Sequence, residues 1–204
     1  MRIVPVVMAL GACGPAHLGG QIDGEPVGGA RDAFFDTLSV NLGPLGDYEA
    51  TVVVVTDFPT ACDVYDDLAS TFELSCDALC DEYLDLAETY HLRQETYWST
   101  IFTVNTSDEE VGTFDYDPAV GEGEFSTAFY RYDGTDLFDA DACEDACEDG
   151  ELLQAEDEQG EDGELEIDRA DSELIHGRFD VDFGGDDRLS GGFSARPCDT
   201  SDWL

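Results

Sequence analysis

Two cysteine pairs with the same internal spacing, Cys76–Cys80 and Cys143–Cys147, carry the most definite chemistry in the chain. Residues four apart stack on a helix, so each pair puts two thiols on one helical face. Two such faces set antiparallel would join Cys76 to Cys147 and Cys80 to Cys143. Cys62 and Cys198 then remain to join an early segment to the C-terminal part. Six cysteines allow fifteen connectivities; the spacing narrows the choice and favours this one without fixing it. A disulfide closing so long a loop contributes about 4–5 kcal/mol in the chain-entropy description. The competing chemistry is a zinc site built from the four CxxxC thiols. Structural zinc sites favour CxxC-like spacing, and oxidising compartments favour bridges, so three disulfides are the expected outcome.

This double staple resembles twin CxxxC helical hairpins. The seventh cysteine has a different setting. Cys13 closes the run Leu10-Gly11-Ala12-Cys13, after Arg2 and the apolar stretch Ile3 to Ala9. A leucine three before a cysteine, with two small residues between, resembles the lipobox of bacterial lipoproteins. The resemblance implies cleavage before Cys13 and lipidation of its thiol by a diacylglycerol. Residues 1–12 are then a lipoprotein signal peptide. Residues 13–30, rich in glycine and proline, are a flexible tether with one short strand around Gln21–Asp23. Gly14 stands where an aspartate would, in some lipoproteins, cause inner-membrane retention. Outer-membrane delivery, facing the periplasm or the surface, is implied. The apolar stretch itself is too short to span a bilayer, which takes about 20 residues.

Carboxylates supply the second candidate chemistry. Asp145, Cys147, Asp149, Gly150, Leu152 and Glu156 nearly spell a calcium-binding EF-hand loop, with glycine at the sixth place and glutamate at the twelfth. Cys147 stands where the third ligand belongs, and a disulfide would remove it from play. Looser calcium binding by Asp139, Asp141, Asp145, Asp149 and Glu156 needs no such loop, because carboxylate clusters suit a hard cation. Paired carboxylates for glycoside hydrolysis cannot be singled out where acids are everywhere. His17 falls in the tether, His91 at a helix end and His176 on the polar face of a strand. Tyr130, Tyr132 and Trp98 alternate on strands, where they could stack sugar rings or simply pack. There is no nucleophile elbow, and a Walker A loop needs the lysine this chain lacks.

That absence belongs to a larger imbalance. The 204 residues hold 49 acids against 8 cations, all arginine, for a formal net charge of −41. Such a surface repels phosphate backbones and excludes nucleic-acid binding. It also repels anionic headgroups, which makes a covalent anchor to the membrane more necessary. Cations remain possible partners; no protein or glycan partner is specified. Salt shrinks the Debye length from about 10 Å at 0.1 M to about 3 Å at 1 M, relieving the self-repulsion. With 42% hydrophobic residues the chain still has material for one domain core.

The elements that must position these groups follow from periodicity. Ala33–Val40 and Thr51–Thr56 read as strands, and the run Val52–Val55 suits a strand buried on both faces. From about 63 to 93, Tyr65, Leu68, Phe72, Cys76, Leu79, Tyr83, Leu86 and Tyr90 recur at helical steps, with a break near Ser75. Strands resume at Tyr97–Val104, Val111–Tyr116 and Glu124–Tyr132. The acidic segment 136–163 reads as a short stapled helix and a solvated loop. Leu165 and Ile167 open a last β passage. Ile175, Gly177, Phe179, Val181 and Phe183 then alternate with polar residues, Gly184–Asp187 turns the chain, and Leu189 to Ala195 continue the alternation.

These elements predict a mainly β fold over 31–204, an antiparallel β-sandwich or barrel with a disulfide-stapled helical insertion. Three stretches carry a wider likeness: Gly19-Gly20-Gln21-Ile22-Asp23-Gly24, Phe58-Pro59-Thr60-Ala61-Cys62, and Phe183-Gly184-Gly185-Asp186 with Leu189–Ala195. In that layout the chain resembles a group of uncharacterised bacterial envelope lipoproteins with a Gly-rich β-sandwich domain. The resemblance implies a non-enzymatic, lipid-anchored envelope protein with a structural or binding role. The alternatives are a calcium- or carbohydrate-binding surface module and, second, an envelope hydrolase.

Overall fold

A computed structural model describes residues 16–41, 47–69, 75–92, 96–105, 111–119, 124–134, 139–149 and 156–198. The expected signal peptide 1–12, Cys13 and the stretch 150–155 lie outside the described residues. Among the described residues eleven strands and three helices follow in chain order. They are β1 (Ala16–Ile22), β2 (Glu25–Gly28), β3 (Asp32–Asn41), β4 (Asp47–Thr56), α1 (Ala61–Ala69), α2 (Cys76–Tyr90), β5 (Thr96–Val104) and β6 (Gly112–Tyr116). After them come β7 (Glu124–Asp133), α3 (Ala140–Asp149), β8 (Glu156–Gln159), β9 (Asp162–Asp171), β10 (Leu174–Gly184) and β11 (Asp187–Pro197).

Two antiparallel arrays make the wall, β2-β1-β11-β10-β9-β6 and β3-β4-β5-β7-β8. They meet at two short parallel seams. Arg196 and Pro197 of β11 pair with Phe34 and Phe35 of β3, while Asp115 and Tyr116 of β6 pair with Glu124 and Phe125 of β7. Eight strands therefore close into a mixed barrel, with the β1–β2 hairpin and β8 as extensions. The expected sandwich-or-barrel architecture is present as a closed barrel, antiparallel everywhere except at the two seams. No hairpin signal marks them, because a strand changes partner part-way along its length.

Strand alternation fills the interior. Phe102, Phe125, Phe129, Phe179 and Phe193 point inward and are all buried, with Phe102 and Phe179 rings 4.6 Å apart. Truncating one such ring to alanine typically costs about 3–5 kcal/mol. The valine run on β4 divides as its period demands. Val53 and Val55 enter this core, while Val52 and Val54 face outward under α1. There Phe34, Phe58, Val64 and Tyr97 form a second apolar layer outside the barrel.

The helical period does break at Ser75, which caps α2, and α1 begins two residues before the expected start. At the other end of α2, His91 adopts a left-handed conformation (φ 56°), and the Leu92 amide returns to the Ala87 carbonyl at 2.9 Å. All three expected bridges are formed. Cys76–Cys147 and Cys80–Cys143 join α2 to α3, and Cys62–Cys198 joins α1 to the end of β11. Cys80 and Cys143 are buried with Tyr83 and Leu86 in a small core of their own.

Two expectations are overturned. Residues 16–28 of the supposed tether form the β1–β2 hairpin, with Leu18, Ile22 and Val27 buried in the barrel core. Asp23 and Gly24 both take positive φ (53° and 71°), as a type I′ turn requires. The Asp187 carboxylate accepts both their amides, at 2.9 and 3.2 Å, and so fastens the turn to the start of β11. The acidic stretch expected as a solvated loop also holds strand: β8 adds to β7 as an edge, and β9 starts at Asp162.

Candidate binding face

The two arrays differ on their outer sides. The outer side of β3-β4-β5 is covered by α1 and its apolar layer, against which Tyr65 of α1 packs half-buried. Its hydroxyl meets Ser99 at 3.3 Å and Tyr132 at 3.5 Å, and burial together with the neighbouring Tyr132 pushes its ionisation well above the usual 10. The outer side of β9-β10-β11-β1 carries a polar cleft of about 720 Å³ instead.

Cross-strand register lays out this cleft. Within the cleft the outward residues of β11 are Ser190, Gly192 and Ser194, all small, with Arg188 projecting outward just before them. On one side His17 of β1 stands directly opposite Gly192; on the other, His176, Arg178 and Asp180 of β10 stand opposite Ser194, Gly192 and Ser190. The His17 imidazole lies over Gly192: a Cβ there would come within 2.7 Å of its Cε1. At Gly191 a Cβ would meet the His17 carbonyl oxygen at 2.2 Å, so the closeness of β1 itself demands glycine.

Charge on this face is arranged in pairs. Arg178 hydrogen-bonds Glu166, Arg188 engages both carboxylate oxygens of Asp180, and His176 Nδ1 is 3.7 Å from Asp168. At the β9–β10 turn, Asp171 accepts the Glu173 amide, Arg169 and the Leu174 amide, which holds its carboxyl below the usual range. Glu164 has no such arginine. It lies in register between Asp180 on β10 and Asp115 on β6, three carboxylates on adjacent strands.

The sequence-derived candidates are dispersed. Asp139 precedes α3 and accepts the Ala142 amide at 3.2 Å, while Asp141 and Asp145 are exposed on that helix. The side chains of Asp149 and Glu156 lie outside the described residues. Among the described residues no three His, Cys, Asp or Glu groups converge as metal ligands. The EF-hand expectation is corrected: residues 145–149 are helical and Cys147 is bridged to Cys76, so the ligand loop does not begin there. The proposed aromatic platform is also split. Trp98 points into the barrel against Phe129, whereas Tyr130 and Tyr132 stack on each other outside it at 6.4 Å.

The cleft itself went unread in the sequence. Its signal was the small residues at alternate, outward positions of β11, with His17 hidden in a stretch whose glycines suggested a tether. Among the described residues no helix is long and apolar enough to cross a membrane. No protein family, curated protein or solved structure matches the chain. Three disulfides mark an extracytoplasmic protein, since thiols stay reduced in the cytosol.

Proposed function

We propose that the chain is a lipid-anchored protein of the bacterial cell envelope, delivered to the outer membrane, which acts by binding through its surface rather than by catalysis. Thiol arithmetic carries this reading. The three bridges consume six cysteines among themselves, so Cys13 has no cysteine of its own chain left to join. Its lipobox-like setting then gives it a separate chemical task. The aromatic filling of the barrel supports a surface role, because packed side chains occupy the interior where a barrel ligand would otherwise sit. A rigid, stapled domain beside a membrane also offers a fixed orientation to whatever it binds.

The test is the intact mass of protein extracted from membranes. The expected species begins at Cys13, carries a diacylglycerol and lacks the six hydrogens lost in forming three disulfides. An unlipidated chain with free thiols overturns the reading.

A further inference from the structure

We propose that α3 is a redox-released arm: reducing Cys76–Cys147 and Cys80–Cys143 melts this helix while the barrel stays closed. Packing is the first argument. α3 shares a small core with α2, where Cys80, Tyr83 and Leu86 are buried against Leu68, Leu79 and Tyr90. Among the described residues, α3 contributes only its bridged Cys143 and Cys147 to that core. The rest of the helix is three alanines and five acids. The thiols that staple α3 are therefore also its apolar share of the contact.

Charge opposes the helix once the staples open. Asp141, Glu144 and Asp145 are exposed, and α3 has no cation. Asp141 and Asp145, four apart, repel along one face, and Glu148 and Asp149 bring negative charge to the last turn, where the helix dipole disfavours it. Its partner α2 also lacks a cation and exposes Asp81, Glu82, Asp85 and Glu88. Asp139 caps α3 by accepting the Ala142 amide at 3.2 Å, but ten residues fall short of the roughly 12–15 that an isolated helix needs. The barrel has ties of its own. The chain enters α3 from β7 and returns in β8, and these two strands pair with each other from Arg131 and Glu156 onward. α1 keeps the Cys62–Cys198 bridge. The inference depends neither on a lipid anchor nor on a ligand.

Each bridge opens by a two-electron exchange with a dithiol reductant. A thiolate of the reductant attacks one sulfur of the half-buried Cys76–Cys147 bridge, and the other sulfur leaves. The reductant's second thiol then displaces the first cysteine, so the dithiol ends as a cyclic disulfide and its two protons on the two cysteines. Cys80–Cys143 follows in the same way. The experiment reads amide hydrogen exchange by mass spectrometry. One sample is the oxidised protein treated with dithiothreitol until both α2–α3 bridges open, with alkylation confirming that Cys62–Cys198 is still closed. The other carries Cys76→Ser, Cys80→Ser, Cys143→Ser and Cys147→Ser together. Against the oxidised parent, the amides of α3 are expected to lose about a hundredfold of protection, and those of β9, β10 and β11 to stay within about threefold. Reoxidation should restore α3. Protection kept by α3 with both bridges open, or lost across β9, β10 and β11 as well in the reduced parent, overturns the proposal.

Discussion

The carboxylate of Asp32, at the start of β3, accepts the amide hydrogen of Ala61, the first residue of α1, at 2.9 Å across 29 positions of chain. Its other oxygen accepts the Ala33 amide at 2.9 Å and lies 3.4 Å from Arg196 of β11. One buried side chain thus links β3, α1 and β11 beside the parallel seam. The Cys62–Cys198 bridge ties α1 to the end of β11 a second time, covalently.

Replacing Asp32 should therefore loosen the docking of α1. Asp32→Ala is expected to cost about 2 kcal/mol in urea unfolding, and Asp32→Asn, which keeps one acceptor, about half of that. A neutral result for the alanine variant would show that the disulfide alone holds the helix.

Thr51 gives the opposite sign. It is buried on β4, and its hydroxyl has no hydrogen-bond partner among the described residues. A hydroxyl hidden without a partner costs free energy that a methyl does not. Thr51→Val keeps the branched shape and should stabilise the protein by about 1 kcal/mol. A lower urea midpoint would mean that the hydroxyl is satisfied in solution.

The bridges should differ in strength and in order of opening. With Cys80–Cys143 already formed, Cys76–Cys147 closes only a small additional ring, whereas Cys62–Cys198 still closes a loop of many tens of residues. Replacing Cys76 and Cys147 by serine should cost about 3 kcal/mol, against about 4 for Cys62 and Cys198. Cys76 and Cys147 are half-buried while Cys80 and Cys143 are buried, so a mild reductant should open the outer bridge of the pair first. Timed alkylation and mass analysis would show the order; simultaneous opening would contradict it.

Alkali should unfold the protein through its tyrosines. Tyr65 is raised well above 10, mainly by burial, and Tyr90 is pushed up to about 12, chiefly by donating a hydrogen bond to Asp67 at 2.7 Å. An unfolded tyrosine ionises near 10. Between these values the folded state retains protons that the unfolded state releases, so stability falls with rising pH. The contribution is complete below about pH 10 and is lost as pH climbs through about 12. Phenolate absorbance should rise in two classes, the second coinciding with loss of far-ultraviolet ellipticity. Ionisation of all eight tyrosines in one step, with the fold intact, would refute this.

Much of the fold was legible because burial imposes a period. Residues Ile175 to Phe183 alternate strictly, and the structure places every second one inside. The four valines of β4 read as doubly buried because both sides of that strand are covered. The CxxxC spacing indicated the α2–α3 staple because the helical turn fixes which thiols align. What failed to read was glycine. The sequence around Gly19 and Gly20 looks flexible, yet at Gly20 a Cβ would stand 1.9 Å from the Arg188 carbonyl oxygen. Close packing and looseness call for the same residue, and only the neighbouring strand tells them apart. β8 was hidden for another reason: Glu156 to Gln159 carry no apolar alternation, since an edge strand can be held by its backbone alone.

β11 serves three neighbours, β10 and β1 along most of its length and β3 at its end. It is also the last strand of the described chain, and the final cysteine follows it directly. A ribosome delivers this stretch after β1, β3 and β10, so the wall stays open, with the flanks of β10 and β3 unpaired, until β11 emerges. Closure therefore waits on one strand: once its seam with β3 has formed, the Cys62–Cys198 bridge locks the last edge of the wall to α1.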